Sequence, residues 1–481
     1  MKWNIAPIAA GEFIKMNNFF LYPFDYKFFK PNKVLIINQC SEHLFLTSDE
    51  FFNMRNDINF CTSETIRKLK EKFFIVEKTK KNIVDRIIET KRLTKHSYLT
   101  NDALLLMVVP TLNCNCNCIY CQVTSQSQCA KDNNMSFKNL IHFCDFLFSL
   151  PHKEIKIEFQ GGEPLLAFDS IRFIVERVNF LNRKRKKTIQ YVICTNLLAL
   201  TNKQIKFIKR HAIQISTSID GPESVHNANR PSLMYSSTFG EAKKKINQLR
   251  KENIYPSALV TITNNNLNLM PQVVDEYIKL GFTGLFLRPL NNYGLAFKNH
   301  AIKYSNSEFM INYKKAVDYI IQLNFQGINI KEEYFTIILR KIYSAFNDGF
   351  VDMQNPCALG QMCMIVDQHG DVYPCDEARM ISEMGDKEWK MGNIAEHDCF
   401  VNINTVQKRI RENGLIEENI HCKKCVYKML CFTDPIREWY INKYSHDDYC
   451  GIRLEMFDYV FDKIMNASDE ERQLFWEWAN D

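Results

Sequence analysis

Four cysteines stand within eight residues in the segment CNCNCIYC, which spans positions 114–121. Cys114, Cys118 and Cys121 follow a C-x3-C-x2-C spacing, and a short loop of this kind can wrap three thiolates around one face of a [4Fe–4S] cube. One iron then has no protein ligand and is open to a substrate or cofactor. Cys116 fits neither interval, so we interpret it as a bystander. A zinc knuckle is the alternative, but structural zinc takes four ligands and no close fourth residue suits that role.

Two glycines and an acid follow in the segment FQGGEPLL (159–166), where the next apolar stretch ends. Paired glycines permit close approach of a backbone, because they carry no side chain. An acid at the same place suits an ammonium group. This segment is therefore a candidate for binding a ligand beside the cysteine loop.

The two segments together resemble radical S-adenosylmethionine (SAM) enzymes, which carry a cysteine loop after the first strand and a GGEP motif after the second. In that family the amino and carboxylate groups of SAM chelate the open iron. The resemblance implies that Gly161, Gly162, Glu163 and Pro164 bind the methionine amino group. It also implies that Tyr120, just before the last cysteine, approaches the adenine.

Two further segments resemble the same family. CTNLLAL (194–200) is similar to its third-strand TNG-type motif, with Leu197 in place of glycine. STSIDGPESVHNANR (216–230) is similar to the fourth-strand segment, where Ser218 and Asp220 would face the SAM ribose and carboxylate. The alternative for both segments is an ordinary loop at the end of a strand.

A second group of cysteines lies between residues 357 and 450 and resembles the SPASM extension of radical SAM enzymes, which houses two auxiliary iron–sulfur clusters. By this resemblance one auxiliary cluster takes Cys422, Cys425, Cys431 and Cys450. The other takes Cys357, Cys363, Cys375 and a cysteine four residues beyond Cys431. A zinc ribbon that includes Cys422 and Cys425 is the alternative.

The chain departs from this pattern at position 435, where proline replaces the expected cysteine. Three explanations stay open: the cluster has an open iron, Cys399 supplies a thiolate, or Asp434 supplies an oxygen. Thiolate is the softer ligand, which favours Cys399 over Asp434, and an open iron is as plausible.

Asp376 follows Cys375 directly. In the related sulfatase-maturing enzymes an Asp at this place is the proposed base, which takes the proton when a substrate radical is oxidised. The resemblance makes Asp376 the candidate catalytic residue. The alternative is a helix N-cap, because DEARM begins well as a helix.

The elements that position these residues are six apolar segments of strand length, which alternate with segments of helix length: 104–110, 154–159, 189–195, 212–220, 258–263 and 284–290. Such a series predicts an α/β fold with a parallel sheet, either doubly wound or a partial barrel, and function at the carboxyl ends of the strands. The resemblance implies a partial (β/α)6 radical SAM barrel. We expect one final amphipathic helix over about 450–480.

Bulk properties place the chain among cytoplasmic globular proteins. It has 481 residues, 46% of them hydrophobic, and a net charge of +6. Its first residues lack a signal-peptide pattern, and no apolar run is long enough to span a bilayer. Seventeen cysteines in a reducing compartment indicate metal or cluster ligation. The basic run at 182–187 fits a solvated helix end, so we expect no nucleic-acid partner.

Residues 33–92 read as two paired strands, VLIIN and HLFLT, followed by three helices. This module resembles the winged-helix leader-recognition element of enzymes that mature ribosomally made peptides, where a leader peptide adds a strand to the sheet. The alternative is a structural cap. We expect three domains: a peptide-recognition-like module at 1–98, the barrel at 99–325 and a SPASM-type auxiliary-cluster domain with a C-terminal helix at 326–481.

Stretches from residue 20 to about 395, such as FLYPFDYKFFK and DVYPCDEARMISEMGD, resemble the maturases of the His-Xaa-Ser system. The resemblance implies an enzyme that generates a 5′-deoxyadenosyl radical and crosslinks a precursor peptide carrying a leader, through a C–C (cyclophane) or thioether bond. It also implies a cellular reductant of the flavodoxin or ferredoxin type. The alternatives are oxidation of Cys or Ser to formylglycine, as in sulfatase maturases, and a non-catalytic zinc-binding protein.

Overall fold

The computed structural model describes residues 18–480 apart from 101–102, 124–132, 348–349, 415, 417–418, 420–421 and 446–448. The first 17 residues and the stretch at 124–132, just after the cysteine loop, therefore lie outside the described residues. Within the described ranges, no helix combines the length and the apolar character needed to cross a membrane.

The N-terminal module has its own hydrophobic core, which includes Val34, Ile36, Phe51 and Leu69. Its elements are β1 (Phe19–Leu21), β2 (Phe24–Lys30), β3 (Lys33–Asn38), β4 (His43–Leu46), α1 (Ser48–Asn56), α2 (Ser63–Glu71), β5 (Ile75–Glu77) and α3 (Lys81–Lys95). The predicted pairing of VLIIN with HLFLT is confirmed as the antiparallel pair β3–β4. Both predicted helix starts are capped, α1 by Thr47 in a capping box with Glu50 and α2 by Thr62.

Three strands of this module were not predicted. β2 pairs with β3 on the side opposite β4, so VLIIN is the middle strand of a three-stranded sheet and has no free edge. β1 and β5 form a separate antiparallel pair. The sequence missed these strands because short strands with mixed polarity carry a weak alternation signal.

The central part of the chain alternates strands and helices as predicted. Its elements are β6 (Ala103–Thr111), α4 (Phe137–Ser149), β7 (Glu154–Gly161), α5 (Phe168–Arg185), β8 (Thr188–Cys194), α6 (Asn202–Arg210), β9 (Gln214–Ser218), α7 (Glu223–Asn229), α8 (Thr238–Lys251), β10 (Ser257–Thr261), α9 (Met270–Lys279), β11 (Gly284–Leu285), β12 (Leu287–Arg288), α10 (Gly294–Lys298) and α11 (Asn306–Phe325). The strand predicted at 284–290 is split in two, because β11 leaves the main sheet to pair with a later strand, Lys331–Glu332.

The main sheet runs in the order β12-β10-β9-β8-β7-β6, and the pairs within it are parallel. Strands that follow one another without reversal, joined by right-handed crossovers, place their helices on one side, which is the arrangement of a barrel and not of a doubly wound sheet. Side chains alternate across β7. Ile155, Ile157 and Phe159 are buried in the hydrophobic core, whereas Lys156, Glu158 and Gln160 line an inner cavity.

The C-terminal part extends the same sheet. Its elements are β13 (Lys331–Glu332), α12 (Glu333–Tyr343), β14 (Cys363–Val366), β15 (Asp371–Tyr373), α13 (Asp376–Glu383), β16 (Gly392–Asn393), α14 (Ile403–Gly414), α15 (Pro435–Tyr440), α16 (Tyr449–Asn466) and α17 (Asp469–Asn480). β14 joins β6 in parallel, with Cys363 opposite Leu105, and β15 and β16 follow antiparallel.

The single final helix expected over about 450–480 is wrong. The chain forms two helices there, α16 and α17, and Ser468 accepts a hydrogen bond from the Glu471 N–H while the Glu471 carboxylate accepts one from the Ser468 N–H. This capping box starts a new helix where the amphipathic pattern alone suggested continuation.

Candidate active site

A cavity of about 250 Å³ lies at the carboxyl ends of strands β6 to β10. It brings together eight of the ten residues expected to hold the first cluster and SAM: Cys114, Cys118, Tyr120, Cys121, Gly161, Gly162, Glu163 and Ser218. Of the remaining two, Pro164 is buried in the turn after Glu163, and Asp220 is fully buried behind the cavity wall. The position at strand ends is the one in which α/β barrels carry their chemistry.

The two glycines join the GGEP segment to the cysteine loop. The Gly162 N–H donates to the Thr111 carbonyl at 2.9 Å, and the Glu163 N–H donates to the Asn113 carbonyl at 2.8 Å. A Cβ added to Gly161 would lie 2.2 Å from the Thr111 oxygen, and one added to Gly162 would lie 2.3 Å from the Asn113 oxygen. These positions require glycine because the backbone that leads into the cysteine loop passes directly against them.

The carboxylate of Glu163 holds the loop after β8. It accepts hydrogen bonds from the Thr195 hydroxyl at 2.6 Å, the Asn196 N–H at 2.8 Å and the Leu165 N–H at 3.0 Å. Burial raises the pKa of Glu163 to about 7, although these donors oppose the rise. The sequence suggested an acid facing an ammonium, whereas in the structure the acid fixes the TNG-type segment beside the cavity.

The fourth-strand segment places a cation, not a carboxylate, on the cavity wall. Asp220 accepts from the Tyr120 hydroxyl at 2.6 Å and from Arg230 Nε at 2.9 Å. Arg230 lines the cavity and Asp220 does not. Burial raises the pKa of Tyr120 well above its ordinary value, which keeps the phenol protonated as the donor. The segment 216–230 ends in Arg230, but the sequence indicates no role for this residue, because only the fold brings it back to the end of the strand.

Leu197 occupies the position at which the family motif has glycine. Its φ is 68°, in the left-handed region, and its side chain is fully buried. A residue with a Cβ pays roughly 1–2 kcal/mol in this conformation, which glycine does not. The burial of the leucine side chain offsets this strain, and the turn that the motif requires is kept.

Cys116 lies inside the site and not beside it. It is 4% exposed and lines the cavity together with the three other cysteines of its loop. Its N–H donates to Cys114 Sγ at 3.4 Å, and its sulfur accepts from Asn196 Nδ2 at 3.5 Å. The C-x3-C-x2-C spacing leaves Cys116 without a role, but spacing alone does not determine where its side chain points.

A second cavity, of about 750 Å³, lies within the barrel between the strands β6 to β8 and the C-terminal part. Cys363, Cys375 and Asp376 line it, opposite the inward side chains of β7. Arg288 lines both this cavity and the one at the cysteine loop. The cavity beside the cysteine loop and the cavity beside Cys363 and Cys375 therefore adjoin at Arg288.

Asp376 is the first residue of α13, and Cys375 occupies the N-cap position, where no side chain caps the helix. The N-cap alternative for Asp376 is therefore wrong. Its carboxylate pairs with the buried Arg379, at 2.9 Å from Nε and 2.8 Å from Nη2. This pairing fixes the carboxylate at the cavity wall.

The segment 433–435 passes beside the first auxiliary group of cysteines. A Cβ on Gly414 would lie 3.2 Å from the Cys357 Cβ and 3.6 Å from the Pro435 Cγ, so these two residues flank the same point. Asp434 and Cys363 are both electrostatic neighbours of Cys375. The corresponding neighbours of Cys399 are its own backbone and Asp398. Asp434 therefore interacts electrostatically with this group of cysteines.

The second auxiliary group converges from three separate segments. Cys422 has Cys431 and Cys450 as electrostatic neighbours, and Cys425 has all three of the others. Cys450 lies on α16, so this helix must pack in place before the set of four cysteines is complete.

Three thiols of the cysteine loop, those of Cys114, Cys118 and Cys121, share one cavity. Among the residues that the structure describes, no three His, Cys, Asp or Glu side chains are grouped closely enough to hold one metal ion. A four-iron cube is larger than one zinc ion, so its thiolates stand farther apart than zinc ligands do. Three thiols that line one cavity beside a cation fit a cube with an open iron.

Comparison with known proteins agrees with this geometry. Residues 108–280 match the radical SAM superfamily. The cysteine-type anaerobic sulfatase-maturating enzyme of Clostridium perfringens is 24% identical over 392 residues, 76% of this chain and 98% of that protein. The serine-type anaerobic sulfatase-maturating enzyme of Bacteroides thetaiotaomicron is 22% identical over 350 residues, 68% of this chain and 81% of that protein.

Two solved structures share the fold. Native anSMEcpe with bound AdoMet has a TM-score of 0.63 at 21% identity, over 76% of this chain and 98% of that chain. Streptococcus suis SuiB bound to precursor peptide SuiA has a TM-score of 0.50 at 15% identity, over 85% of this chain and 93% of that chain. Residues 108–280 therefore form a radical SAM domain, and the chain is an oxidoreductase-type enzyme.

Proposed function

We propose that this radical SAM enzyme modifies a ribosomally made precursor peptide by hydrogen abstraction followed by an intramolecular C–C or thioether crosslink. The observation that carries the proposal is that the cavity at the cysteine loop and the cavity at Cys363 and Cys375 adjoin, with Arg288 on the wall of both. A peptide side chain held there lies between the place where a radical is generated and the place where an electron can leave. The resemblance to His-Xaa-Ser maturases supports the same substrate class.

Cys114, Cys118 and Cys121 hold the first cluster in this proposal, and the loop backbone at Gly162 and Glu163 faces the methionine end of SAM. When reduced, the cluster and SAM supply methionine and a 5′-deoxyadenosyl radical. The protein contributes position and charge. Arg230 presents a guanidinium to the SAM carboxylate, and Asp220 fixes its direction through the buried ion pair. Tyr120 and Ser218 complete the wall on the nucleoside side.

Asp376 is the proposed base. The oxidation of a substrate radical releases one electron and one proton, and the carboxylate of Asp376 stands in the interior beside Cys375. Arg379 holds that carboxylate by a hydrogen bond from Nε and an ion pair from Nη2, so the base keeps one orientation. Water exclusion by the barrel wall protects the radical from side reactions.

Two auxiliary clusters are proposed as the electron path. Cys422, Cys425, Cys431 and Cys450 would hold one, and Cys357, Cys363 and Cys375 the other. The cluster held by Cys357, Cys363 and Cys375 needs a fourth ligand or has an open iron. Because Asp434 interacts electrostatically with Cys375, we favour Asp434 or an open iron over Cys399. A cellular reductant of the flavodoxin or ferredoxin type would supply electrons to the first cluster.

The N-terminal module is proposed to bind the leader of the precursor peptide, as one of three domains at 1–98, 99–325 and 326–481. β2 and β4 are the outer strands of its sheet, and within the described residues each pairs with β3 alone. A leader can therefore add as a strand at one of these edges. Beside β2, Phe28 and Phe52 are 42% and 43% exposed, with ring centroids 6.1 Å apart, and offer apolar contact.

Oxidation of Cys or Ser to formylglycine is the second candidate. The relatives from C. perfringens and B. thetaiotaomicron are named for sulfatase maturation, and they match most of this chain. About a quarter of the chain lies outside the match to the first of them. The N-terminal module, with its own core and exposed aromatic pair, is what favours a leader-bearing peptide over a sulfatase.

The test is anaerobic purification followed by reaction with short peptides encoded beside the gene. A brown protein with iron and sulfide, and a product two hydrogens lighter with no aldehyde, supports crosslinking. A product that hydrazide reagents trap supports formylglycine. A colourless protein that binds zinc contradicts both. Alanine at Cys357, Cys363 and Cys375 together should abolish product and spare 5′-deoxyadenosine formation, since radical generation uses the other cluster.

A further inference from the structure

We propose that Cys116 is a displaceable fourth ligand of the first cluster, which binds the open iron while SAM is absent and leaves it when SAM binds. The inference rests on the proposed assignment of Cys114, Cys118 and Cys121 as the permanent ligands. It assigns a function to the one cysteine of the loop that the spacing leaves over.

The position of Cys116 carries the inference. Its side chain is almost fully buried, yet it lines the same cavity as Gly162 and Arg230, where the methionine end of SAM is proposed to lie. Its thiol shares a hydrogen bond with the thiol of Cys118, and its N–H donates to Cys114 Sγ. A buried fourth sulfur beside Cys118, in the cavity where SAM is proposed to lie, is placed to complete the cube.

Asn196 supplies a second resting place for the same sulfur. Its Nδ2 donates to Cys116 Sγ at 3.5 Å and to Asn115 Oδ1 at 2.7 Å. The backbone N–H of Asn196 is fixed by Glu163. A rigid amide donor beside the cavity can hold the sulfur after it leaves the iron, so Cys116 has two defined positions.

The exchange needs no oxidant or reductant. When the Fe–S bond to Cys116 forms, its thiol releases a proton to solvent. When the amino nitrogen and a carboxylate oxygen of SAM bind the iron, that Fe–S bond breaks and the sulfur takes up a proton again. The exchange lowers the apparent affinity for SAM by the fraction of molecules in the open form. It also shields the open iron from loss while no SAM is present.

The test uses the full-length chain with its clusters reconstituted anaerobically, without peptide. Mild oxidation strips an iron from a cube that lacks a fourth ligand and leaves a three-iron cluster with its own EPR signal. Without SAM, we expect Cys116→Ala to give a three-iron signal in excess of any signal that both proteins share from an open auxiliary cluster, and we expect SAM to suppress this excess. If about nine molecules in ten are closed, Cys116→Ala should bind SAM roughly tenfold more tightly. Cys61→Ala, in the N-terminal module, is the control and should match the wild type.

Equal three-iron signals and equal SAM affinity in the wild type and Cys116→Ala would overturn the inference. Complete loss of the cluster in Cys116→Ala would also overturn it, because Cys116 would then be a permanent ligand. Cys116→Ser repeats both measurements with a side chain of similar size, in case alanine disturbs the loop. A separate variant tests the ligand assignment itself. If the SAM-sensitive cluster survives when Cys114, Cys118 and Cys121 are all replaced by alanine, that assignment is wrong.

Discussion

Asp220 holds Arg230 by an ion pair of 2.9 Å that is shielded from solvent, and the guanidinium in turn lies 5.2 Å from the centre of the Tyr120 ring. The carboxylate stands behind the cavity and the cation in front of it. In the proposed site, Asp220 therefore acts by positioning Arg230, which would face SAM. The arrangement also ties the cysteine loop to the loop after β9, because Tyr120 donates to the same carboxylate.

Asp220→Asn should weaken SAM binding by roughly tenfold or more, because a buried guanidinium that loses its counter-charge is poorly held. Equilibrium dialysis with labelled SAM measures the change, and cluster content should stay at the wild-type level. Asp145→Asn removes an exposed partner of Arg177 and serves as the matched control. Unchanged SAM binding in Asp220→Asn would show that Arg230 keeps its direction without the pair.

Alanine at Cys114, Cys118 or Cys121 should remove one bound cluster and all 5′-deoxyadenosine formation, since each thiolate holds one iron of the cube. Cys116→Ala should keep the cluster and turn over SAM. Iron and sulfide analysis together with chromatography of deoxyadenosine measures both. The assignment is wrong if Cys116→Ala abolishes SAM cleavage while Cys118→Ala does not.

Asp434→Ala should alter the auxiliary-cluster spectrum and reduce product formation, whereas Cys399→Ala should leave iron content and product unchanged. The reason is that Asp434 interacts electrostatically with Cys375. Asp434 also caps α15 through the Arg437 N–H at 3.0 Å, so Asp434→Asn, which can still cap, separates ligation from helix stability. Loss of iron in Cys399→Ala would return the fourth thiolate to that residue.

The double substitution Phe28→Ser with Phe52→Ser should weaken precursor binding and leave uncoupled SAM cleavage unchanged. Point variants suit this test better than removal of the module, because Lys27 pairs with Asp458 at 2.5 Å and Phe45 packs on Phe461 of α16. Fluorescence anisotropy of a labelled leader measures the affinity. Phe60→Ser, 67% exposed in the same module, is the control. Equal affinity in the double variant would place the leader at the β4 edge or make the module a cap.

Glu332 should make the fold less stable as pH rises from 5 to 8. Burial raises its pKa to about 7, against the Tyr313 hydroxyl and the Leu287 and Phe335 N–H groups that donate to it. A carboxyl whose pKa is higher in the folded than in the unfolded chain stabilises the fold fully at pH values below its unfolded pKa. This contribution to the free energy of unfolding, about 3 kcal/mol for Glu332, is lost as pH rises through the folded pKa.

The measurement is the thermal unfolding midpoint at each pH. Glu332→Gln cannot ionise, so its midpoint should fall less steeply between pH 5 and 8 than that of the wild type. Glu412→Gln, on the exposed side of α14, should keep the wild-type slope. Parallel slopes in wild type and Glu332→Gln would assign the pH dependence to other buried acids such as Glu163.

The sequence by itself determined the features that depend on near neighbours along the chain. The spacing of Cys114, Cys118 and Cys121 predicted one loop, and alternating apolar segments predicted the parallel strands. Thr47 and Thr62 marked the starts of two helices. These signals are local because hydrogen-bond caps, strand alternation and loop closure are set within a few residues.

Only the tertiary structure decided which of the candidate residues meet. It set Arg230 in front of Asp220, brought Cys116 into the cavity, and paired β14 with β6 across some 250 residues of chain. It also brought Asp434 within electrostatic reach of Cys375. These outcomes depend on packing between segments far apart in sequence, where a side chain's direction follows from the strand or helix that carries it and not from its spacing.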